Sequence, residues 1–273
     1  MALVTSGARG AGVIELKLPG RPRDLAGLQA AAAVGQAGLM HLYRNAFAAH
    51  GLKVGQILLT REDVRRRISV RHAIVALLER GVVPIVNEND SVAVDEIRVG
   101  YKDYLSPRVS ALIRAALRAL LTDVDGLLRP EGGGRAVVPI VERVTPELEA
   151  WAGGSDKELS RGGMRSKLLA ARIVSRSGGM MAIAPGRRPS VLADLLDGRP
   201  IGTLFLASPE RAGEKKWWIA FSRIRQGAII VDEGARRALV SRGKSLLASG
   251  VTGVDGNVRP GEMVGILGPD RVE

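Results

Sequence analysis

The run Val82-Val83-Pro84-Ile85-Val86 is apolar without a break. A strand with no polar alternation suits burial on both faces, which points to a parallel sheet covered by helices. The run stops abruptly at Asn87-Glu88-Asn89-Asp90. Four consecutive hydrogen-bonding side chains at the carboxyl end of such a strand have two readings. One is a solvated loop. The other is a ligand contact, because open α/β sheets bind ligands outside those strand ends.

The rest of the chain repeats the alternation of strand and helix, which is the signature of βαβ units. Leu3-Val4-Thr5 is a candidate strand. Asp24 is a plausible N-cap for a helix in which Leu28, Ala32, Leu39, Leu42 and Ala46 recur at approximately helical spacing. Strands are expected over Gln56 to Thr60 and Val82 to Val86, with an Arg-rich helical segment between them. A further strand is expected over Ala115 to Leu121, ending in Thr122-Asp123-Val124-Asp125-Gly126. Met164 to Arg176 reads as a helix closed by Gly178-Gly179, and Met180 to Ala184 as the next strand.

A boundary is expected near residues 207–214, where Ser208-Pro209-Glu210-Arg211-Ala212-Gly213-Glu214 has linker composition. Beyond it, Lys215 to Ile219, Ala228 to Val231 and Met263 to Leu267 are short strand candidates. Glu233 to Arg242 is helical, and residues 257–262 form a turn. The expectation is an α/β domain with a mainly parallel sheet between helices over residues 1–206. A small β-rich domain follows over 215–273, near the lower size limit for one self-sufficient core.

Composition narrows the function classes. With 273 residues, 46% of them hydrophobic, the chain can fill a sizeable core, and the 3% aromatic content suits small side chains packed on a parallel sheet. No apolar run approaches a membrane span and the first residues lack signal-peptide character, so a cytoplasmic location and no membrane partner are expected. The chain has no cysteine, and its three histidines show no metal-ligand spacing. The net charge of +12 is diffuse: residues 1–205 hold 29 Lys/Arg against 20 Asp/Glu, and residues 206–273 hold 11 against 8. That balance favours anionic ligands without marking a base-reading surface.

Three strand ends carry groups suited to one site. Thr5-Ser6-Gly7-Ala8 offers a hydroxyl and a glycine amide at the turn into the next element, a place that favours carboxylate or phosphate. Asp90 can accept hydrogen bonds from an ammonium or hydroxyl group. Thr122-Asp123 has the character of a nucleotide-site strand end, or of an acidic turn closed by Gly126. Arg161-Gly162-Gly163-Met164-Arg165-Ser166-Lys167 places two glycines before a helix and a lysine in its first turns. Glycines permit close approach to phosphate, and an ammonium stabilises transferring oxygens. A plain helix-initiating turn is the alternative.

In their shared order these pieces closely resemble the glutamate 5-kinase family, amino-acid kinases with a C-terminal PUA-type domain. The resemblance runs through Val4-Thr5-Ser6-Gly7-Ala8, Ala33-Val34-Gly35-Gln36, Gln56 to Arg61, Val86 to Asp90, Leu121 to Gly126, Gly162-Gly163-Met164 with Lys167, Gly202 to Phe205, and Val231 to Ala235. It implies the amino-acid kinase fold, the PUA-like fold at the C-terminus, and ATP- and Mg²⁺-dependent phosphorylation of the γ-carboxylate of L-glutamate, the first step of proline biosynthesis. It implies glutamate contacts from Ser6, Asp90 and position 102. ATP contacts are implied from Thr122, Asp123, Arg161, Gly162, Gly163, Met164, Arg165, Ser166 and Lys167, with Lys167 as the catalytic charge. No residue is assigned to a metal, and a homo-oligomer is expected.

The sequence also departs from the family pattern. The family's first strand, with its Lys-x-Gly turn, and the closing strands of the PUA fold are not found, so both domains are expected to be truncated. Lys102 stands where the family has a substrate-binding Asn, and Arg161 where it has Thr. The alternative to a kinase is therefore a catalytically impaired relative with a regulatory or RNA-associated role through the PUA-like part, whose small charge excess supports only weak RNA binding.

Overall fold

In the computed structural model, which describes residues 1–65, 67–92, 102–152, 163–209, 227–256, 258 and 264–270, strands and helices alternate from the start of the chain. Strand β1 (Leu3–Val4) leads through Gly7 into helix α1 (Ala8–Glu15), followed by α2 (Leu25–Ala48). Asp24 caps α2 by accepting from the Gly27 N–H at 2.7 Å, which satisfies one of the orphan amides of the first turn. Then come β2 (Lys53–Leu59), α3 (Arg61–Arg65), α4 (Arg67–Glu79) and β3 (Val82–Glu88). The three strands form a parallel sheet in the order β1-β3-β2.

The apolar run lies on the central strand of this sheet, with Val83, Ile85 and Val86 buried. Pro84 is tolerated there because β1 begins opposite Ile85, so at the level of Pro84 only β2 lies alongside. The strand also runs further than its apolar residues. Its ladder pairs Asn87 with Leu58 and Glu88 with Leu59, so half of the polar cluster belongs to the sheet. Backbone pairing sets the strand end, and the polarity change precedes it. Strand β2 likewise starts earlier than the expected Gln56, at Lys53.

Helices α1 and α2 cross with backbone against backbone. A Cβ on Gly35 would lie 2.0 Å from the Ala8 carbonyl oxygen and 2.2 Å from the Gly12 nitrogen, and one on Gly12 would lie 1.7 Å from the Ala31 oxygen. Only glycine permits this approach. Of the expected apolar stripe of α2 only Leu28 and Ala32 are buried, with Ala31 and Gly35 beside them, while Leu42 is 61% exposed. Length explains the difference: 24 helical residues extend about 36 Å and the seven of β2 about 23 Å, so α2 outruns the sheet beneath it.

The remaining part of this unit contains α5 (Lys102–Leu112), β4 (Leu117–Thr122), β5 (Leu128–Glu131), β6 (Gly134–Val137), β7 (Ile140–Val141) and α6 (Pro146–Trp151). They are followed by α7 (Met164–Arg176), β8 (Met180–Pro185), α8 (Val191–Leu196) and β9 (Thr203–Phe205). A four-stranded sheet has the order β4-β8-β9-β7, with β4 parallel to β8, and β5-β6 is a separate hairpin. Helix α7 has the expected limits. It lays Leu168, Ala171 and Val174 into a core with Met181, Ile183 and Phe205.

Contacts divide the chain into two units, Met1–Ala212 and Gly213–Glu273. The described part of the second holds β10 (Gly227–Val231), α9 (Glu233–Val240), β11 (Val251–Gly256) and β12 (Val264–Leu267). Its sheet order is β11-β10-β12, antiparallel on one side and parallel on the other. The strand expected at Lys215 to Ile219 and most of the turn at 257–262 lie outside the described residues. Strand β11, Val-Thr-Gly-Val-Asp-Gly, lacks the apolar run that would have marked it in the sequence.

The helix crossing gives a stability prediction. Gly35→Ala is expected to lower the unfolding free energy by about 1–3 kcal/mol or more through overpacking against backbone. Gly10→Ala, on the same α1 but with nothing within 4 Å of the place its Cβ would occupy, is expected to be neutral or to stabilise by up to about 1 kcal/mol. Urea denaturation of the two variants checks the pair, and equal effects would remove the steric explanation.

Candidate active site

The buried polar end of β3 meets the first half of α2. Asn87, 1% exposed, donates from Nδ2 to Gln36 Oε1 at 2.8 Å, and Gln36 is itself buried. Beyond the strand, the Asn89 N–H donates to the Leu59 carbonyl at 3.0 Å and the Ser91 hydroxyl to Asn89 Oδ1 at 2.6 Å, which folds the chain into a tight turn. The four residues therefore divide their work. Asn87 ties sheet to helix, Asn89 closes the turn, and Glu88 and Asp90 remain as buried carboxylates.

A cavity of about 290 Å³ opens at this point, lined among others by Ala8, Gln36, Gln56, Glu88, Asn89 and Asp90. Its size is near the lower end of the roughly 300–1,000 Å³ usual for small-molecule pockets, and it holds several convergent polar groups. Asp90 is 2% exposed and pairs with Arg9, whose Nε lies 3.2 Å from Oδ2. A carboxylate this deep requires an opposite charge or a hydrogen-bonding partner.

Ser6 sits at the end of the neighbouring strand. The Thr5 N–H donates to the Val86 carbonyl at 2.8 Å, so the Ser6 turn and the Asn87 to Asp90 segment occupy the same edge of the sheet. Gly7, at φ 108°, takes the left-handed conformation that swings the chain into α1, and no side chain caps that helix. Lys102 is the first residue of α5, and its side chain lies outside the described residues.

A second group gathers at the ends of the parallel pair β4 and β8. The Gly186 N–H donates to the Thr122 carbonyl at 2.7 Å, which brings the loop after β8 against the Thr122-Asp123 turn. The Asp123 carboxyl is held below its ordinary range. The Thr122 hydroxyl, 2.9 Å from Oδ1, is the main cause and its own backbone N–H the next; desolvation opposes them, and the charges of Lys167 and Arg187 add smaller lowering effects. Thus Thr122, Asp123 and Lys167 share one electrostatic neighbourhood.

At the start of α7, Gly163 is an N-cap without a side-chain hydrogen bond, so the first amides of the helix are not satisfied from that residue. The Ser166 hydroxyl donates back to the Gly163 carbonyl at 2.8 Å, and Met164 packs partly against the core. Contributions of these two to an anion site would come from their backbone N–H groups. Arg165 and Lys167 follow on the same turns. Arg161 and Gly162 lie outside the described residues.

Three residues of these groups were not singled out as site residues from the sequence: Arg9, Gln36 and Arg187. Gln36 had a visible signal, an amide on the buried side of a helix. Arg187 follows a buried strand, as Asn89 and Asp90 do, and the same strand-end rule points to it. Arg9 had no signal of that kind.

Residues 1–183 match the amino acid kinase family and residues 227–273 match the PUA domain. Glutamate 5-kinase of Moorella thermoacetica is 48% identical over 275 residues, covering 98% of this chain and 73% of that protein. The chain belongs to the glutamate 5-kinase family. Glutamate 5-kinase of Geobacter sulfurreducens is 45% identical over 277 residues (99% of this chain, 74% of that protein), and that of Pelobacter propionicus 43% over 279 (100% and 75%). As a member of this family the chain is a kinase with the amino-acid kinase fold and a C-terminal PUA domain. Among the described residues no helix is long and apolar enough to cross a membrane.

The Asn87–Gln36 pair gives a prediction for this member of the glutamate 5-kinase family. Asn87→Leu strands a buried amide and is expected to cost about 1–3 kcal/mol. Adding Gln36→Leu is expected to recover part of that loss, since both polar partners are then gone. A double-mutant cycle on urea denaturation midpoints checks it, and strict additivity would deny the coupling.

Proposed function

We propose that this chain transfers the γ-phosphoryl group of ATP to the γ-carboxylate of L-glutamate, giving L-glutamyl 5-phosphate and ADP. The observation that carries the reading is identity of 43–48% to glutamate 5-kinases over 98–100% of this chain and 73–75% of theirs, in a chain whose buried carboxylate Asp90 lines a polar cavity. A carboxylate oxygen of glutamate attacks the γ-phosphorus as the bond from that phosphorus to the β-phosphate oxygen breaks. The carboxylate is already a nucleophile, so no general base is required. Catalysis reduces to positioning and charge neutralisation.

In this reading Asp90 accepts from the ammonium of glutamate, with the Ser6 turn on the same sheet edge. Lys167, in the second turn of α7, stabilises the transferring group, while the Gly163 to Ser166 amides and the Thr122-Asp123 turn border the nucleotide. Arg187 joins them, because its charge already acts on Asp123 beside Lys167. Mg²⁺ belongs to the proposal as the ion carried on the ATP phosphates, where it neutralises their charge. Among the described residues no group of three or more His, Cys, Asp or Glu side chains could cage a metal. Such an ion would take most of its oxygens from phosphate and water, and the ionised Asp123 is the carboxylate placed to add one.

The reaction is read by trapping the acyl phosphate with hydroxylamine in the presence of ATP, Mg²⁺ and L-glutamate. Hydroxamate formation that requires all three is expected, and its absence from folded protein overturns the kinase reading in favour of a non-catalytic relative. Lys167→Ala is expected to reduce turnover by roughly 100-fold or more, the scale of losing a transition-state charge contact. Arg187→Ala is expected to raise KM for ATP by roughly 3- to 10-fold with a smaller effect on kcat, as for a phosphate contact near the surface.

The PUA match supports one further part of the proposal, contact of residues 227–273 with RNA. Filter binding with a salt titration tests it. Affinity that falls steeply with salt is expected, and no retention of RNA at low salt would end that part of the reading.

A further inference from the structure

Arg9 is placed against local rules. It stands in the first turn of α1, at the positive end of the helix dipole, and no acidic residue stands in that turn. Its side chain is 14% exposed. A largely covered cation opposed by the helix it sits on is a local conflict of the kind that functional sites retain. Asp90 offsets it through the Nε contact at 3.2 Å. That contact uses only part of the guanidinium fork, and Nη1 is buried with no hydrogen-bond partner.

Ala8, the residue before Arg9, and Asp90, its ion-pair partner, both line the cavity. Asp90 thus stands in the cavity wall, and the Arg9 guanidinium that pairs with it at 3.2 Å adjoins the lining through Asp90 and through its chain neighbour Ala8. An α-amino acid presents the complementary arrangement, an ammonium and a carboxylate on one carbon. We propose that Arg9 is a substrate-recognition residue, whose unpaired Nη1 N–H takes the α-carboxylate of the amino-acid substrate while Asp90 takes its ammonium. This rests on the glutamate reading above and adds to it a residue that decides specificity. It also supplies a planar, carboxylate-matching donor in a chain that has Lys102, a point charge, where its family has an amide.

Three ligands separate the contributions: L-glutamate, glutarate, which lacks only the ammonium, and 4-aminobutyrate, which lacks only the α-carboxylate. Calorimetric titration of the full chain, Arg9→Met and Arg9→Lys with each ligand tests the assignment. The unsubstituted chain is expected to bind 4-aminobutyrate roughly 10- to 100-fold more weakly than glutamate, the value of a charge-assisted contact. Arg9→Met is expected to weaken glutamate by that same factor and to leave 4-aminobutyrate unchanged, with Arg9→Lys in between. If Arg9→Met weakens 4-aminobutyrate as much as glutamate, Arg9 acts only by holding Asp90 and the inference is overturned. An unsubstituted chain that forms hydroxamate from glutamate yet shows the same α-carboxylate penalty as Arg9→Met overturns the inference and leaves the kinase reading intact. A chain that neither binds nor phosphorylates glutamate overturns both. Should Arg9→Met fail to fold, the same ligand comparison on Arg9→Lys decides, because it retains the charge and loses the fork.

Discussion

The 2.8 Å hydrogen bond between Asn87 and Gln36 is the joint on which the proposed substrate side depends. It ties the polar end of a central strand to the middle of α2 in a place closed to water, where neither amide has a cheap alternative partner. With α2 fixed there, the glycine crossing places α1, and α1 places Arg9 beside Asp90. The cavity lies in the space these connections enclose. Each connection also fixes something the next one needs, so the pocket is a product of packing and of buried polar pairing together.

The proposed nucleotide side is built in another way. Asp123 and Lys167 lie within electrostatic reach of one another at strand and helix ends near solvent, positioned by backbone: the Gly186 to Thr122 hydrogen bond and the start of α7. Exposed charges attract one another weakly in water and are screened by salt. Their value rises when a polyanion enters and water leaves. One side is thus preformed around buried groups, and the other is a set of aligned donors whose interaction energy depends on the ligand.

How much of this the sequence disclosed follows from the range of each interaction. Helix α7 was legible to its last residue because its limits are local, glycines before Met164 and after Arg176. The polar cluster at Asn87 to Asp90 was legible as a candidate site because a buried strand rarely ends in such residues. Its division was not: Asn87 turns to Gln36 and Asp90 to Arg9, partners far away in the chain, and spacing carries no record of either. The exposed distal half of α2 was misread because helical periodicity reports a face and says nothing of how long the surface under it is. Strand β11 escaped notice because it has no apolar run, and the β5-β6 hairpin because the apolar run Ala136 to Val141 is divided between the end of β6 and β7; side chains such as Arg129, Glu131, Arg135 and Asp255 face water there.

The contact between α1 and α2 has a mechanical side. Where two helices touch through Gly12 and Gly35, no side chain lies between them to change rotamer and absorb a displacement. The crossing is as stiff as peptide against peptide, and the two helices shift as one lever. Arg9 rides on the short arm, beside Asp90. The long arm is the stretch of α2 beyond Gln36, which extends past the sheet to Leu42 and on to Ala48. A displacement of that distal stretch would therefore reach α1 through backbone contact, without side-chain rearrangement at Gly12 or Gly35.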